Sequence, residues 1–193
     1  VRYAETKHPE LMHYVSSCKS PMQMFGAVIK EYFKAKDVSE DRETISVAVV
    51  PCTAKKAEAS REEFIRDGIS DVDYVITTTE LCAMIKEIGI KFDELEAESS
   101  DMPFSLHSGA GVIFGVTGGV TEAVIRGVVE DKTAKALKEI EFIGVRGMEG
   151  VKVCELPVGD TVLRIAVVSG LGNAESLIEK IKSGEEHFDF IEV

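Results

Sequence analysis

The chain has 193 residues, 45% of them hydrophobic and 29% charged, enough apolar material for one domain with a sizeable core or for two lobes. A net charge of −12 with no local basic stripe argues against a nucleic-acid partner, because a phosphate backbone needs a basic face. The longest apolar runs are far shorter than a bilayer crossing requires and no stretch reads as a signal peptide, so a cytoplasmic protein without a membrane partner is expected. Because the first residue is Val1, the chain is read as an excised piece of a longer protein.

In chain order, Pro9 to about Ser16 predicts a short helix, with Leu11, Met12 and Val15 on one face. Ser20 and Pro21 then open a second helix whose Met22, Phe25, Val28, Ile29, Tyr32 and Phe33 form a core-facing stripe. Lys34 to Glu43 reads as a charged connector. Ile45 to Val50 is β-branched and uncharged, as expected for a strand covered on both faces. Ser60 to Asp67 reads as helix ended by Gly68, and Tyr74 to Ile76 as a short strand. A helix from Thr79 and Glu80 to Ile88 should turn Leu81, Met84, Ile85 and Ile88 inward and stop at Gly89. Phe92 to His107 is acidic and irregular, a surface loop.

Ser108 to Gly119 holds five glycines in twelve residues and leads into a helix of Val120, Val124, Ile125 and Val128. Glycines let a backbone approach something closely, and open amides at a helix start favour anions. Ile140 to Arg146, Val151 to Leu156 and Val162 to Val168 predict strands of an antiparallel meander. A helix capped by Asn173 and a final strand from Phe188 to Val193 follow. Alternating strands and helices give an α/β class: a mostly parallel sheet flanked by helices, with an antiparallel meander in the C-terminal part.

Four cysteines, Cys18, Cys52, Cys82 and Cys154, are dispersed without a Cys-x-x-Cys pair, and reduced, mostly buried thiols are expected. Cys52 alone sits in a chemically suggestive run, Val49-Val50-Pro51-Cys52-Thr53-Ala54-Lys55-Lys56-Ala57-Glu58, at the end of a strand. Thiolates are the usual ligands of iron–sulfur clusters, and nearby cations favour the thiolate. Taken alone, a structural cysteine before a solvated helix start is the commoner explanation of such a run. The glycine-rich segment lacks the lysine of a P-loop and the spacing of a dinucleotide fingerprint, so tight backbone packing is its default explanation. His8, His13, His107 and His187 show no metal-binding spacing and are expected at the surface. No paired carboxylates or nucleophile elbow stand out.

Three segments together, however, resemble a known family. They are Ser16-Ser17-Cys18-Lys19-Ser20-Pro21-Met22-Gln23-Met24-Phe25-Gly26, Val50-Pro51-Cys52-Thr53-Ala54-Lys55-Lys56, and Ser108 through Ala123. They resemble the catalytic domain of [FeFe] hydrogenases, and Phe188 to Val193 fits the stretch preceding that family's last cysteine motif. The resemblance spans essentially the whole chain. It implies a fragment of a two-lobed catalytic domain, with lobes of about 1–135 and 136–193.

It also implies an H-cluster, a [4Fe–4S] cluster joined through a cysteine to a di-iron subcluster carrying CO, cyanide and a dithiolate. Cys52 matches one of four cysteine ligands; the other motifs would lie before Val1 and after Val193. Cys18, Cys82 and Cys154 match no ligand. Lys55 matches the lysine that donates to a cyanide, a compact ammonium facing a localised charge. Pro21, Pro51, Phe114 and Gly115 match pocket-lining residues, Ser16 a serine of the proton relay, and Glu58 a glutamate near the pocket. Val50 and Met22 depart from the methionine and glutamine common at those positions. The resemblance implies reversible reduction of protons to H2, with the rest of the polypeptide and a ferredoxin or accessory iron–sulfur domain as partners. The isolated fragment should be cluster-free and inactive. A non-catalytic iron–sulfur relative, either an assembly factor or a sensor, is the alternative, and a stand-alone anion-binding α/β domain is a third.

Overall fold

A computed structural model describes residues 1–36, 43–99, 101, 111–112, 114–128, 143–144, 149–158 and 160–193. The chain divides into two compact units, Val1–Ser99 and Ser100–Val193. The fold is α/β.

In the first unit a helix, Arg2–Lys7, precedes the expected short helix, which is of 3-10 type and spans Pro9–Tyr14. His8 joins the two. Contrary to the surface position expected for it, His8 is buried, its ring 5.5 Å from that of Tyr3. The next helix runs from Pro21 to Lys36, three residues into the expected connector. Its buried side is not the expected stripe, since Phe25 and Val28 are about half exposed while Gln23 and Gly26 are buried. Close approach explains the inversion. A Cβ on Gly26 would collide with the Asp71 carbonyl and lie 2.7 Å from Val72 Cγ2, so the helix rests its smallest residue on the 71–73 segment.

That segment is held by a polar knot. Asp73 Oδ2 accepts from the Ser46 amide at 2.6 Å and from Lys30 Nζ at 2.6 Å, and Ser46 Oγ donates to the Asp71 carbonyl at 3.0 Å. Lys19 pairs with Asp71. Ser46 and Asp73 immediately precede strands β1, Val47–Val50, and β4, Tyr74–Thr77, which run parallel with Val47 opposite Tyr74 and Val50 opposite Thr77. Lys30 also donates to the Thr44 carbonyl at 2.5 Å, so one ammonium ties the helix to both strand starts. Burial on both faces of β1 does not hold: Val47 and Val49, on one face, are about half exposed, and Ala48 and Val50 are half-buried.

The helix expected at Ser60–Asp67 is not there. A helix occupies Ala54–Ala59, followed by a 3-10 turn, Glu62–Phe64, and a hairpin of β2, Ile65–Arg66, and β3, Ile69–Ser70. Asp67 at φ 53 and Gly68 at φ 79 form its turn, the mirror-image geometry that Asp-Gly favours between strands. Gly68 therefore closes a hairpin instead of a helix. The Thr78–Glu87 helix starts as expected, with a capping box in which the Thr77 hydroxyl accepts from the Glu80 amide and the Glu80 carboxylate from the Thr77 amide. Met84 and Ile88 are exposed, and only Leu81 and Ile85 of the expected inward set are half-buried.

The second unit contains the Gly119–Val128 helix and a sheet ordered β5-β6-β7-β8: Ile143–Gly144, Val151–Val158, Thr161–Val168 and Phe190–Glu192. The first three strands form the antiparallel meander, and β8 joins β7 in parallel after the Leu171–Ser183 helix. Period-two alternation sorts the sheet into two cores. Val151, Ala166 and Val168 pack on Ala174 and Leu177 of that helix, while Leu156 and Ile165 pack on Ile125 of the Gly119–Val128 helix. The helix after β7 is not capped by Asn173. Its N-cap is Gly170 at φ 88, and Asn173 Nδ2 donates back to the Ser169 carbonyl at 2.7 Å. The parts of the expected strand outside Ile143–Gly144, residues 100 and 102–107 of the expected loop, and residues 108–110 lie outside the described residues, while Phe92–Glu94 of that loop is a 3-10 turn. Among the described residues, no helix is long and apolar enough to cross a membrane.

Candidate functional site

Because β1 and β4 are parallel and in register, both end at the same edge. Pro51-Cys52 leaves one strand end and the Thr78–Glu87 helix leaves the other. The carboxyl ends of parallel strands are where α/β sheets hold ligands. Cys52 is exposed there, not sealed among aliphatic side chains, and Pro51 is exposed beside it. The Lys55 amide donates to the Cys52 carbonyl at 3.3 Å, so the chain turns directly from thiol to lysine.

Lys55 Nζ donates to Glu58 Oε2 at 2.6 Å, with the side chains 31% and 20% exposed. The other oxygen, Oε1, is buried and makes no hydrogen bond. Next to it, Lys56 Nζ donates to Glu80 at 2.7 Å. That ammonium, with the Thr77 amide second, lowers the Glu80 carboxyl to about 2. Glu80 thereby links the cysteine turn to the end of the neighbouring strand.

Ser16 is exposed, its Oγ accepting from the Cys18 amide at 3.1 Å. Pro21 is exposed at the first position of its helix. One turn in, Gln23 is fully buried with neither amide atom hydrogen-bonded. The expectation of mostly buried thiols holds only for Cys154, where burial pushes the pKa up; Cys18, Cys52 and Cys82 are exposed.

In the second unit, Phe114, Gly115 and Val116 are exposed ahead of the Gly119–Val128 helix, whereas Gly118, Gly119 and Thr121 are buried. The amides expected to attract an external anion are already used. Glu192 accepts from the Gly118 amide at 3.1 Å, from the Thr121 amide at 2.9 Å and from the Thr121 hydroxyl.

Sequence reasoning missed Glu80 and Glu192. Glu80 was legible, because Thr77-x-x-Glu80 is a capping-box pattern. Glu192 lies more than seventy residues from its partners and carries no local signal.

The sequence matches the family described as iron only hydrogenase large subunit, C-terminal domain, over residues 1–193. The chain belongs to that family. It is 44% identical over 193 residues to the NADP-reducing hydrogenase subunit HndD of Solidesulfovibrio fructosivorans, covering 100% of this chain and 33% of the relative. Cytosolic iron-sulfur assembly component 3 of Mus musculus is 30% identical over 203 residues, covering 99% of this chain and 41% of the relative. A variant of apo [FeFe]-hydrogenase HydA1 from Chlamydomonas reinhardtii superimposes with a TM-score of 0.76 at 33% identity, over 98% of this chain and 55% of that one. The chain thus spans about a third to two-fifths of these curated relatives, and its α/β fold is that of the [FeFe]-hydrogenase catalytic domain.

Proposed function

We propose that this chain is part of the catalytic domain of an [FeFe] hydrogenase whose complete form carries an H-cluster and interconverts protons, electrons and H2 (2H⁺ + 2e⁻ ⇌ H₂). The observation carrying this reading is the exposed Cys52 thiol, one turn of chain from Lys55, at the carboxyl end of a parallel strand pair. The donor set fits one corner of a cluster. Cys52 supplies a thiolate, and the described residues contain no group of three or more His, Cys, Asp or Glu side chains that could hold a metal ion by themselves. In this reading Cys18, Cys82 and Cys154 are not ligands, and the other three thiolates belong to the family's remaining cysteine motifs.

When bound, the H-cluster supplies the redox chemistry, and the protein supplies position and electrostatics. Cys52 Sγ is a metal ligand in this reading. Lys55 Nζ is a hydrogen-bond donor toward the cluster's anionic ligands, held in place by Glu58. Pro21, Pro51, Phe114 and Gly115 line the cofactor, and Ser16 Oγ passes a proton. Ferredoxin or an accessory iron–sulfur domain delivers electrons, and the protein works in the cytoplasm.

The identity to the mouse assembly component supports one second reading, an iron–sulfur protein without hydrogenase activity. Higher identity to a hydrogenase subunit favours the first. Reconstituting this chain with iron and sulfide tests the partial donor set. No stable cubane signal and no hydrogen uptake are expected, and a stable cluster with activity would refute it. The full-length protein matured with the di-iron unit should evolve H2; an intact cubane without activity would favour the assembly-type or sensor reading.

A further inference from the structure

We infer that Glu192 is a positioning residue that fixes the glycine turn bearing Phe114 and Gly115. Strands β7 and β8 are parallel, and Glu192 stands opposite Val167. The two neighbours converge on Gly118. This residue has φ 86, and a Cβ there would lie 2.9 Å from Val167 Cγ1 and 3.2 Å from Val167 Cγ2. Val167 thus fills the space a side chain would need, while Glu192 Oε1 takes the Gly118 amide at 3.1 Å. Glu192 Oε2 takes the Thr121 amide at 2.9 Å and the Thr121 hydroxyl.

A helix start offers unpaired amides and partial positive charge, both normally answered by a Ser, Thr, Asp or Asn just before it. Here that place is held by Gly118, which has no side chain to cap with. The capping carboxylate comes instead from the end of β8. Cap and strand end therefore move as one body, because shifting the turn breaks three hydrogen bonds or drags the strand along.

The result is a graded segment. Gly118, Gly119 and Thr121 form an anchored, buried base, while Val112, Phe114 and Val116 project as an exposed apolar ridge. A lining presented on an over-determined base keeps its placement when a ligand presses on it. That the ridge faces the cofactor rests on the reading proposed above; the clamp itself does not.

The test replaces Glu192 in the full-length protein with Gln, which keeps the shape but turns one acceptor into a donor. Hydrogen exchange is followed at Gly118 and Thr121 without cofactor, and the infrared stretches of the diatomic ligands are recorded after maturation. Exchange at least tenfold faster at both amides, with displaced infrared bands, is the expected result. Unchanged exchange overturns the clamp, and faster exchange with unmoved bands overturns its positioning role. Should Glu192→Gln not fold, Thr121→Val, which deletes one of the three donors, is read by the same two measures. If the unaltered protein takes up no cofactor, the proposed function fails, and exchange in the cofactor-free protein alone decides the clamp.

Discussion

Lys55 and Glu58 form an ion pair at 2.6 Å in which one carboxylate oxygen is engaged and the other is buried without a hydrogen bond. The pair is therefore unequal. Without Glu58, the Lys55 ammonium, about one-third exposed, can turn to water. Without Lys55, a more buried carboxylate loses its cation and keeps its orphan oxygen. Lys55→Met should cost roughly 1–3 kcal/mol, whereas Glu58→Met should stay within about 0.5 kcal/mol of the unaltered protein. Urea midpoints at neutral pH measure both. Equal losses would refute the inequality of the pair.

Asp73 makes stability depend on acid. Burial alone would raise its carboxyl, but the Lys30 ammonium and the Ser46 amide and hydroxyl outweigh burial and lower it below the ordinary 3.8. A carboxyl lowered on folding contributes stability above its unfolded value and loses it as pH falls through the folded one. Asp73→Asn should therefore destabilise at pH 7 by roughly 1–3 kcal/mol. The gap between variant and unaltered protein should narrow steadily below about pH 4. Denaturant titrations at several pH values give the gap; one that stayed constant down to pH 2 would mean the ion pair contributes nothing.

Gly26 should not tolerate even a methyl group. The obstruction is the Asp71 carbonyl, part of the backbone, with Val72 Cγ2 at 2.7 Å, so no flexible side-chain end can give way. Alanine normally stabilises a helix interior by roughly 0.5–1 kcal/mol over glycine. Here the strain should dominate, for a net loss of about 1–3 kcal/mol. A thermal midpoint at or above that of the unaltered protein would mean the helix can lift off the 71–73 segment at little cost.

The sequence carried the second unit well and the first unit less well, for identifiable reasons. Ile165 to Val168 is an unbroken apolar run because its sheet carries a core on each face, so hydrophobicity and packing agree. Around residues 60–70 a helical pattern competed with Asp67-Gly68, and the turn prevailed because both residues adopt positive φ. The stripe from Met22 to Phe33 held only in part, with Phe25 and Val28 about half exposed, because close approach at Gly26 set which side is most buried. At the site, the place of Cys52 at a strand end was legible from the sequence, whereas a role for Lys55 came only with the family resemblance. Glu192 was not legible, because its work depends on a register between two strands that only the fold supplies.

The two cores flanking the second sheet should behave as independent stores of stability. Leu177 is 2% exposed and packs with Val151, Ala166 and Val168, whereas Ile125 is 4% exposed and packs with Leu156 and Ile165 on the opposite face. Leu177→Ala should cost about 2–5 kcal/mol and Ile125→Val about 0.5–1.5 kcal/mol. Since the clusters share no residue, the double variant should lose the sum to within about 0.5 kcal/mol. The alternative is a sheet that relaxes as a plate, with a cavity on one side letting strands shift toward it and loosening the other. An interaction above about 1 kcal/mol in chemical unfolding would identify that coupling and refute independent cores.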